Sequence, residues 1–165
     1  MDMSPYWPMI LDVAQQRLAN NKTEQHVDRY GEGIEVQGAA GELAARLTLG
    51  LPPELHVNFD HGVDFYWAGR RVDVKTTKLT PKLHYRFLQW PEWKQVNCDF
   101  ILLMAVDLEK REAIAVGYAT NEDIQNAPLN VKRYVPCREI RTRDLYPIWY
   151  LMSRGYQLQL EEQGV

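Results

Sequence analysis

The chain has 165 residues, of which 45% are hydrophobic and 25% are charged, as in one ordinary globular domain and unlike a disordered segment. We therefore predict a single domain over residues 1–165. The first residues lack the basic and apolar regions of a secretory signal, and no stretch approaches the roughly 20 apolar residues that cross a bilayer. We expect a soluble, cytoplasmic protein without a membrane partner. Cys98 and Cys137 form no CxxC pair and are expected to be reduced thiols.

Charge is unevenly distributed, although the net charge is only −3. Residues 1–64 carry ten acidic and four basic side chains, a balance of −6, whereas residues 65–95 carry two acidic and seven basic ones, a balance of +5. A basic segment beside an acidic one suits a metal-dependent enzyme that acts on a polyanion. An ordinary solvated surface explains the same charges equally well, so charge alone leaves both interpretations open.

The first half of the chain predicts two helices and a hairpin. Apolar residues recur at helical spacing over residues 8–19 and 35–49, and Gly50 would end the second helix. A strand is predicted at 56–59, and a hairpin with strands at 63–67 and 70–77. Small residues in the second helix would let it lie close to another backbone; they are Gly38, Ala39, Gly41 and Ala45.

The second half predicts more strands with short helices between them. In chain order these are a helix or exposed loop within 78–96, antiparallel strands at 99–107 and 112–119, a short helix capped by Thr120, a strand at 133–136 and a last helix at 144–151. The order of elements indicates an α/β fold, at the border with α+β, in which helices flank a central mixed β-sheet.

The hairpin carries the residues that indicate chemistry. Side chains alternate along a strand, so one face carries Val63, Phe65, Trp67, Val72 and Val74, whereas the other carries Asp64, Tyr66, Arg71, Asp73 and Lys75. A turn at Ala68-Gly69 would make Asp64 and Asp73 a directly opposed pair, with Cβ atoms roughly 5 Å apart. Two carboxylates so placed repel each other unless a cation lies between them, and a hard divalent metal ion prefers such oxygen ligands.

Lys75 lies two residues beyond Asp73 on the same polar face, within reach of a water or phosphate at such a metal ion. Because both residues are on the polar face, we expect their replacement to leave the fold intact. The alternative is that Asp64 and Asp73 are solvent-exposed acids neutralised by Arg71 and Lys75. The hairpin alone favours neither interpretation.

At these positions the chain resembles the PD-(D/E)XK nuclease superfamily, in particular its small stand-alone members from phage. The matching residues are Gly41-Glu42-Leu43-Ala44 on the helix, Gly62-Val63-Asp64 on one strand and Asp73-Val74-Lys75 on the next. The resemblance covers residues 36–77 and extends loosely over 99–119. Val63 stands where the family often has proline, a difference that removes no ligand.

The resemblance implies a restriction-endonuclease-like core and hydrolysis of phosphodiester bonds, in DNA in preference to RNA, with Mg²⁺ or Mn²⁺ as cofactor. Asp64 and Asp73 would bind the metal ion, with the backbone carbonyl of Val74 as a further ligand. Glu42 would bind or orient the metal ion from the helix; alternatively it forms an ordinary surface pair with Arg46. Lys75 would position the attacking water and stabilise charge on the phosphate. The resemblance is also compatible with a homodimer that has one site for each strand of a duplex.

Cations and aromatic rings alternate after the hairpin. We predict that the cations contact nucleic acid; they are Lys78, Lys82, Arg86 and Lys94. The rings of Phe87, Trp90 and Trp93 would stack on bases or, alternatively, pack in the core. A second basic run within residues 132–143 would widen the contact surface.

Other reaction classes find little support. The chain has two serines, both near its ends, and no HxxxH, CxxC or GxGxxG motif, which argues against a serine triad, structural zinc and a nucleotide cofactor. The main alternative to an enzyme is a non-catalytic nucleic-acid-binding protein that retains the nuclease fold. A protein–protein adaptor with an acidic N-terminal half is a third reading, and it predicts no metal binding.

Overall fold

Two N-terminal helices pack on each other and on one face of a β-sheet. Residues 1–23, 32–57, 62–153 and 155 are described by the computed structural model of the chain. Helix α1 spans Trp7–Thr23 and helix α2 spans Glu32–Thr48, so both predicted helices are confirmed and begin earlier than predicted. Gly50 follows α2 with a φ of 74°, the left-handed conformation that commonly ends a helix.

The described chain after α2 holds seven strands, a short helix, α3, at Asn121–Asn126, and helical residues at 148–153. In the part of the chain that is described, the strands are β1 (Phe65–Trp67), β2 (Arg70–Lys78), β3 (Phe87–Pro91), β4 (Phe100–Asp107), β5 (Glu112–Thr120), β6 (Leu129–Asn130) and β7 (Cys137–Arg141). Thr120 caps α3, because its hydroxyl oxygen accepts a bond from the Asp123 amide while the Asp123 carboxylate accepts one from the Thr120 amide. The helix predicted after Thr120 is therefore confirmed.

The strands form two sheets. The first has the order β1-β2-β4-β5, in which β2 and β4 are parallel and the other pairs antiparallel; the second is antiparallel with the order β3-β7-β6. A mixed sheet flanked by helices confirms the predicted α/β fold. The predicted hairpin and the antiparallel strands at 99–107 and 112–119 are confirmed as well. Among the described residues, no helix is long and apolar enough to cross a membrane.

The core lies on both sides of β4. Leu102, Met104 and Val106 pack in the cluster on the side of the helices, whereas Ile101 and Leu103 pack in a second cluster with residues of β3. A strand covered on both faces needs apolar side chains throughout, which explains the continuous apolar run of β4.

Four predictions of local structure differ from the structure in whole or in part. For residues 78–96 a helix or an exposed loop is predicted; the segment holds strand β3 and a single 3-10 turn, Leu83–Tyr85, and no α-helix. No strand forms at 133–136, a segment that lies between β6 and β7. The charged residues Arg138 and Glu139 interrupt the apolar pattern of β7, so a hydrophobic pattern does not predict that strand. Residues 56–57 are not a strand, and the rest of 56–59 lies outside the described residues. The helix predicted at 144–151 occupies 148–153.

Candidate metal-dependent hydrolase site

The β1–β2 hairpin has the predicted register. Ala68 and Gly69 have φ values of 46° and 69°, as in the type I′ turn that suits two-residue hairpins. The pairs across the hairpin are Phe65 with Val72, Tyr66 with Arg71 and Trp67 with Arg70. The next pair along the hairpin would be the two aspartates on which the sequence argument depends.

Asp64 lies just before β1, with its carboxylate against the backbone of β2. Its amide donates to the Val72 carbonyl at 2.8 Å, and its Oδ2 accepts from the Val74 amide at 2.5 Å. The carboxylate of Asp64 therefore lies at the residue between Asp73 and Lys75. The hairpin brings together the three positions that the sequence singled out.

Asp73 is buried, with only 3% of its side chain exposed. It forms an ion pair with the Lys75 ammonium, and the Lys94 Nζ lies 3.9 Å from its Oδ1. The Nζ atoms of Lys75 and Lys94 lie 4.9 and 4.8 Å from the centroid of the Trp90 ring, within range of a cation–π contact. The alternative in which Asp73 is a solvent-exposed acid is therefore wrong, because its side chain is buried.

In the alternative interpretation, Arg71 and Lys75 neutralise Asp64 and Asp73, and the structure confirms only part of this. Lys75 does neutralise Asp73, but the Arg71 guanidinium pairs with Asp99 at 3.2 Å. The carboxylate of Asp64 has neither of them as its hydrogen-bond donor and is bonded instead by a backbone amide. The two aspartates are thus not simply a pair of exposed acids.

Glu42 lies on α2 and is held by a cation from α1. Both its carboxylate oxygens accept from the Arg17 guanidinium at 2.6 Å, and Arg17 also donates to the His56 carbonyl at 2.6 and 3.0 Å. The proposed pair between Glu42 and Arg46 is wrong, since Arg46 pairs with Glu54 at 3.0 Å. Because two oxygens of Glu42 are already bonded, direct binding to a metal ion would require the pair with Arg17 to open.

The electrostatics of Asp64 reflect its neighbours. Burial, followed by the negative charges of Glu42 and Asp73, raises the pKa of Asp64 to about 7, against the opposing effects of the Val74 amide and Lys75. A carboxylate whose strongest charged neighbours are negative is stabilised by an added cation. Burial and the nearby Asp73 also raise the pKa of the Cys98 thiol to about 12, and both cysteines are free and buried.

The four cations predicted to contact nucleic acid are not equivalent. Lys94 belongs to the cluster around Asp73, whereas Lys78, Lys82 and Arg86 are exposed. Lys78 lies five residues along β2 from Asp73, about 16 Å away at the rise of a strand. A contact of these three side chains with nucleic acid stays a prediction.

The aromatic residues of the same segment also differ. Trp90 is buried and Phe87 half-buried, but Trp93 is 77% exposed. Core packing is therefore correct for Trp90, while Trp93 remains accessible to a partner. In the second basic run, Arg133 pairs with Glu139 and Arg138 donates to the Ala127 carbonyl, so these two cations are occupied within the protein.

Arg17 was missed by the sequence argument. It continues the apolar stripe of Ile10, Val13 and Ala14 at helical spacing and is itself only 4% exposed. A lone arginine on a buried helical face implies a buried carboxylate partner. That signal was available in the sequence, but it did not identify Glu42 among several acidic residues as the partner.

A cleft of about 660 Å³ lies elsewhere, between β5 and β7, where Tyr118, Ile140 and Tyr146 are among the lining residues. None of the predicted metal-site residues lines this cleft, although Phe87 and two cations of the second basic run, Lys132 and Arg141, do. We place the candidate site at the Asp64–Asp73 cluster, where carboxylates, cations and a desolvated environment meet.

The donor set of the cluster fits a magnesium ion only in part. Among the described side chains, no three carboxylates, imidazoles or thiolates are grouped closely enough to hold a metal ion. Mg²⁺, however, commonly binds through one or two carboxylates and completes its shell with water and substrate phosphate oxygens. Asp64 and Asp73 would supply such a pair of oxygen ligands. No known protein-family model matches the chain, and neither the curated proteins nor the solved structures give a match.

Proposed function

We propose that the protein is a nuclease of the PD-(D/E)XK type that depends on Mg²⁺ or Mn²⁺ and hydrolyses phosphodiester bonds, in DNA in preference to RNA. The observation that carries this proposal is the bond from the Val74 amide to the Asp64 carboxylate. That bond brings an acid from one hairpin strand to the position between Asp73 and Lys75 on the other. Two oxygen ligands could hold a divalent cation for metal-assisted phosphodiester hydrolysis, and an ammonium group beside them could stabilise charge on the phosphate.

In this proposal Asp64 and Asp73 hold the metal ion, together with the backbone carbonyl of Val74. A bound divalent cation would supply positive charge that polarises the phosphate and lowers the pKa of water. Burial of Asp73 supports the assignment, because a charge interacts more strongly with a ligand when water is excluded. Glu42 adds negative potential from α2, and its bidentate pair with Arg17 fixes that charge in place.

Lys75 would leave Asp73 and turn to the substrate. Its side chain is 29% exposed and its ammonium is bonded to a carboxylate that the metal ion would engage. The ammonium would then be placed to orient the attacking water and to stabilise negative charge that develops on the phosphate. The flexible stem of lysine allows this change without movement of β2.

The non-catalytic alternative has one observation in its favour. Asp73 is neutralised by Lys75, and Glu42 by Arg17, so two of the three carboxylates have a cation partner without a metal ion. A protein that binds nucleic acid through Lys94 and the exposed cations would need no further ligand. Catalysis must therefore be tested separately from nucleic-acid binding.

The test is cleavage of labelled single-stranded, duplex and branched DNA and of RNA, in Mg²⁺, Mn²⁺ or EDTA. We expect metal-dependent cutting that EDTA abolishes. Binding without cutting in any metal ion would support the non-catalytic alternative instead.

A thermal-shift measurement separates both from the adaptor interpretation. A ligand that binds only the folded state raises the melting temperature, so Mg²⁺ or Mn²⁺ should raise it in the wild type and less in Asp64→Asn. An adaptor without a metal site should show the same melting temperature with either ion as with EDTA.

A further inference from the structure

Two aromatic rings beside the Asp64–Asp73 cluster are exposed to solvent. Trp93 is 77% exposed and Tyr66 is 62% exposed. An isolated exposed ring is not unusual on a protein surface. These two differ in that they come from separate segments that both adjoin the same charged cluster.

Trp93 is displayed on a turn that is fixed to the core. The Lys94 amide donates to the Pro91 carbonyl at 3.1 Å, and the buried indole of Trp90 donates to the Lys94 carbonyl at 2.7 Å. The Glu92 amide also donates to the Pro136 carbonyl at 3.0 Å. A ring on backbone held at three points loses little conformational freedom on binding, which favours its use as a contact surface.

The turn also reaches the proposed catalytic carboxylate. Lys94, the neighbour of Trp93, extends its ammonium to 3.9 Å from Asp73 Oδ1, and its Cε lies 3.5 Å from the position that a Cβ of Gly62 would take. The Lys94 side chain thus extends from the turn to Gly62, two residues before Asp64. A ligand phosphate near Asp73 would therefore be within reach of Lys94, the residue that follows Trp93 in the chain.

Tyr66 adjoins the cluster from the hairpin. Its neighbours Phe65 and Trp67 are buried in the cluster on the side of the helices, so the alternation of the strand directs Tyr66 to the opposite face. It is paired there with Arg71, two residues before Asp73. The face that carries Asp73 therefore extends outward to an exposed ring and a cation.

We propose that the substrate strand is single-stranded nucleic acid, whose unpaired bases stack on Trp93 and Tyr66 while Lys94 contacts the phosphate; the inference rests on the nuclease function proposed above. Bases in a duplex are already stacked on each other, so exposed rings have free partners only in a single strand. The Lys94 ammonium beside this turn favours a phosphate backbone over an apolar protein surface as the partner. The contribution of each stacked base is largely independent of sequence.

The test is binding in EDTA, where no cleavage occurs, of a short labelled single strand and of the duplex that contains it. We expect Trp93→Ala to weaken single-strand binding by about 5- to 100-fold and duplex binding by no more than about twofold. Trp93→Phe should keep most of the affinity because it retains a ring. Trp149→Ala is the matched control, since Trp149 is 64% exposed and follows Tyr146, which is paired with β5.

Quenching of indole fluorescence gives a second measurement that a merely structural role would not change. An unlabelled single strand should quench wild-type emission, and clearly less in Trp93→Phe. Any of three results would overturn the inference. They are an equal loss of affinity for single strand and duplex in Trp93→Ala, an unchanged affinity of Trp93→Ala for the single strand, and no binding of nucleic acid by the wild type. Loss of single-strand binding in Trp93→Ala supports it even if the wild type never cleaves, so failure of the nuclease proposal is distinguishable.

Discussion

Gly41 of α2 lies so close to Thr76 of β2 that a Cβ atom on Gly41 would stand 2.1 Å from the Thr76 hydroxyl oxygen and 3.1 Å from its Cβ. The helix and the strand therefore meet where the helix has no room for a side chain at Gly41. Gly41 directly precedes Glu42, and Thr76 directly follows Lys75. This contact sets the distance between the helix that carries Glu42 and the strand that carries Asp73 and Lys75.

Replacing Gly41 by alanine should force α2 away from β2. Overpacking of this kind costs typically about 1–3 kcal/mol, and we expect that loss in the free energy of unfolding measured with urea. Gly38→Ala is the matched control, because no atom lies within 4 Å of its Cβ position; it should be neutral or stabilising by up to about 1 kcal/mol, since alanine favours a helix. Equal effects of the two substitutions would show that the contact with Thr76 is unimportant.

Arg17→Ala should destabilise the fold more than the loss of an ordinary ion pair. The Arg17 and Glu42 side chains are only 5% and 14% exposed, and removing one partner of a buried pair typically costs about 3–5 kcal/mol. Denaturant unfolding of the variant measures this loss. Arg71→Ala, which removes a partly exposed pair with Asp99, should cost much less; a similar cost would mean that burial of the Arg17–Glu42 pair is not what makes it important.

Asp73→Ala should lower stability in the absence of metal. Repulsion between Asp64 and Asp73 alone would predict the opposite, but the Asp73 carboxylate is the partner of both Lys75 and Lys94. Its removal leaves two half-buried ammonium groups beside Trp90, at a cost of about 1–3 kcal/mol. Thermal unfolding in EDTA measures whether the substitution lowers or raises the melting temperature. An increased melting temperature would show that repulsion between Asp64 and Asp73 outweighs the ion pairs of Asp73.

Asp99 should make stability depend on acid pH. Hydrogen bonds from Arg71 lower the pKa of Asp99 below its ordinary value of 3.8. A carboxyl with a lowered pKa in the folded state stabilises the fold above the unfolded-state value and loses that effect as the pH falls through the folded-state value. The stability difference between wild type and Asp99→Asn, followed by urea unfolding, should therefore shrink below about pH 4. A stability difference that does not change with pH would show that the Arg71–Asp99 ion pair is not its source.

The hairpin and the helix that face each other at this site were predictable, because they follow from local rules. The alternation of Phe65, Tyr66 and Trp67 and the turn at Ala68-Gly69 fix the register within a few residues. The small residue at Gly41 likewise indicated close approach of α2 to another backbone, which turned out to be β2.

The surroundings of Asp73 were not predictable in the same way. The two ammonium groups beside Asp73, those of Lys75 and Lys94, lie near the ring of Trp90 of β3, a strand of the second sheet that follows β2 in the chain. The pairing of Arg17 with Glu42 joins residues 25 positions apart, and no periodicity selects one acid among ten in the first 64 residues. Contacts between distant segments decide which carboxylates are neutralised, and a single sequence does not contain that information in a local pattern.

Cleavage by Asp73→Asn, compared with Asp107→Asn, tests the proposed metal-dependent nuclease most directly. Both substitutions replace an aspartate on a strand by its amide. Asp107, however, ends β4, where its carboxylate accepts from the backbone amides of Glu109 and Lys110 and lies 4.0 Å from the Lys110 ammonium. With a single-stranded DNA substrate and Mg²⁺, we expect Asp107→Asn to cleave as the wild type does and folded Asp73→Asn to lose cleavage. Wild-type cleavage by Asp73→Asn, or cleavage that persists in EDTA, would contradict the proposed site.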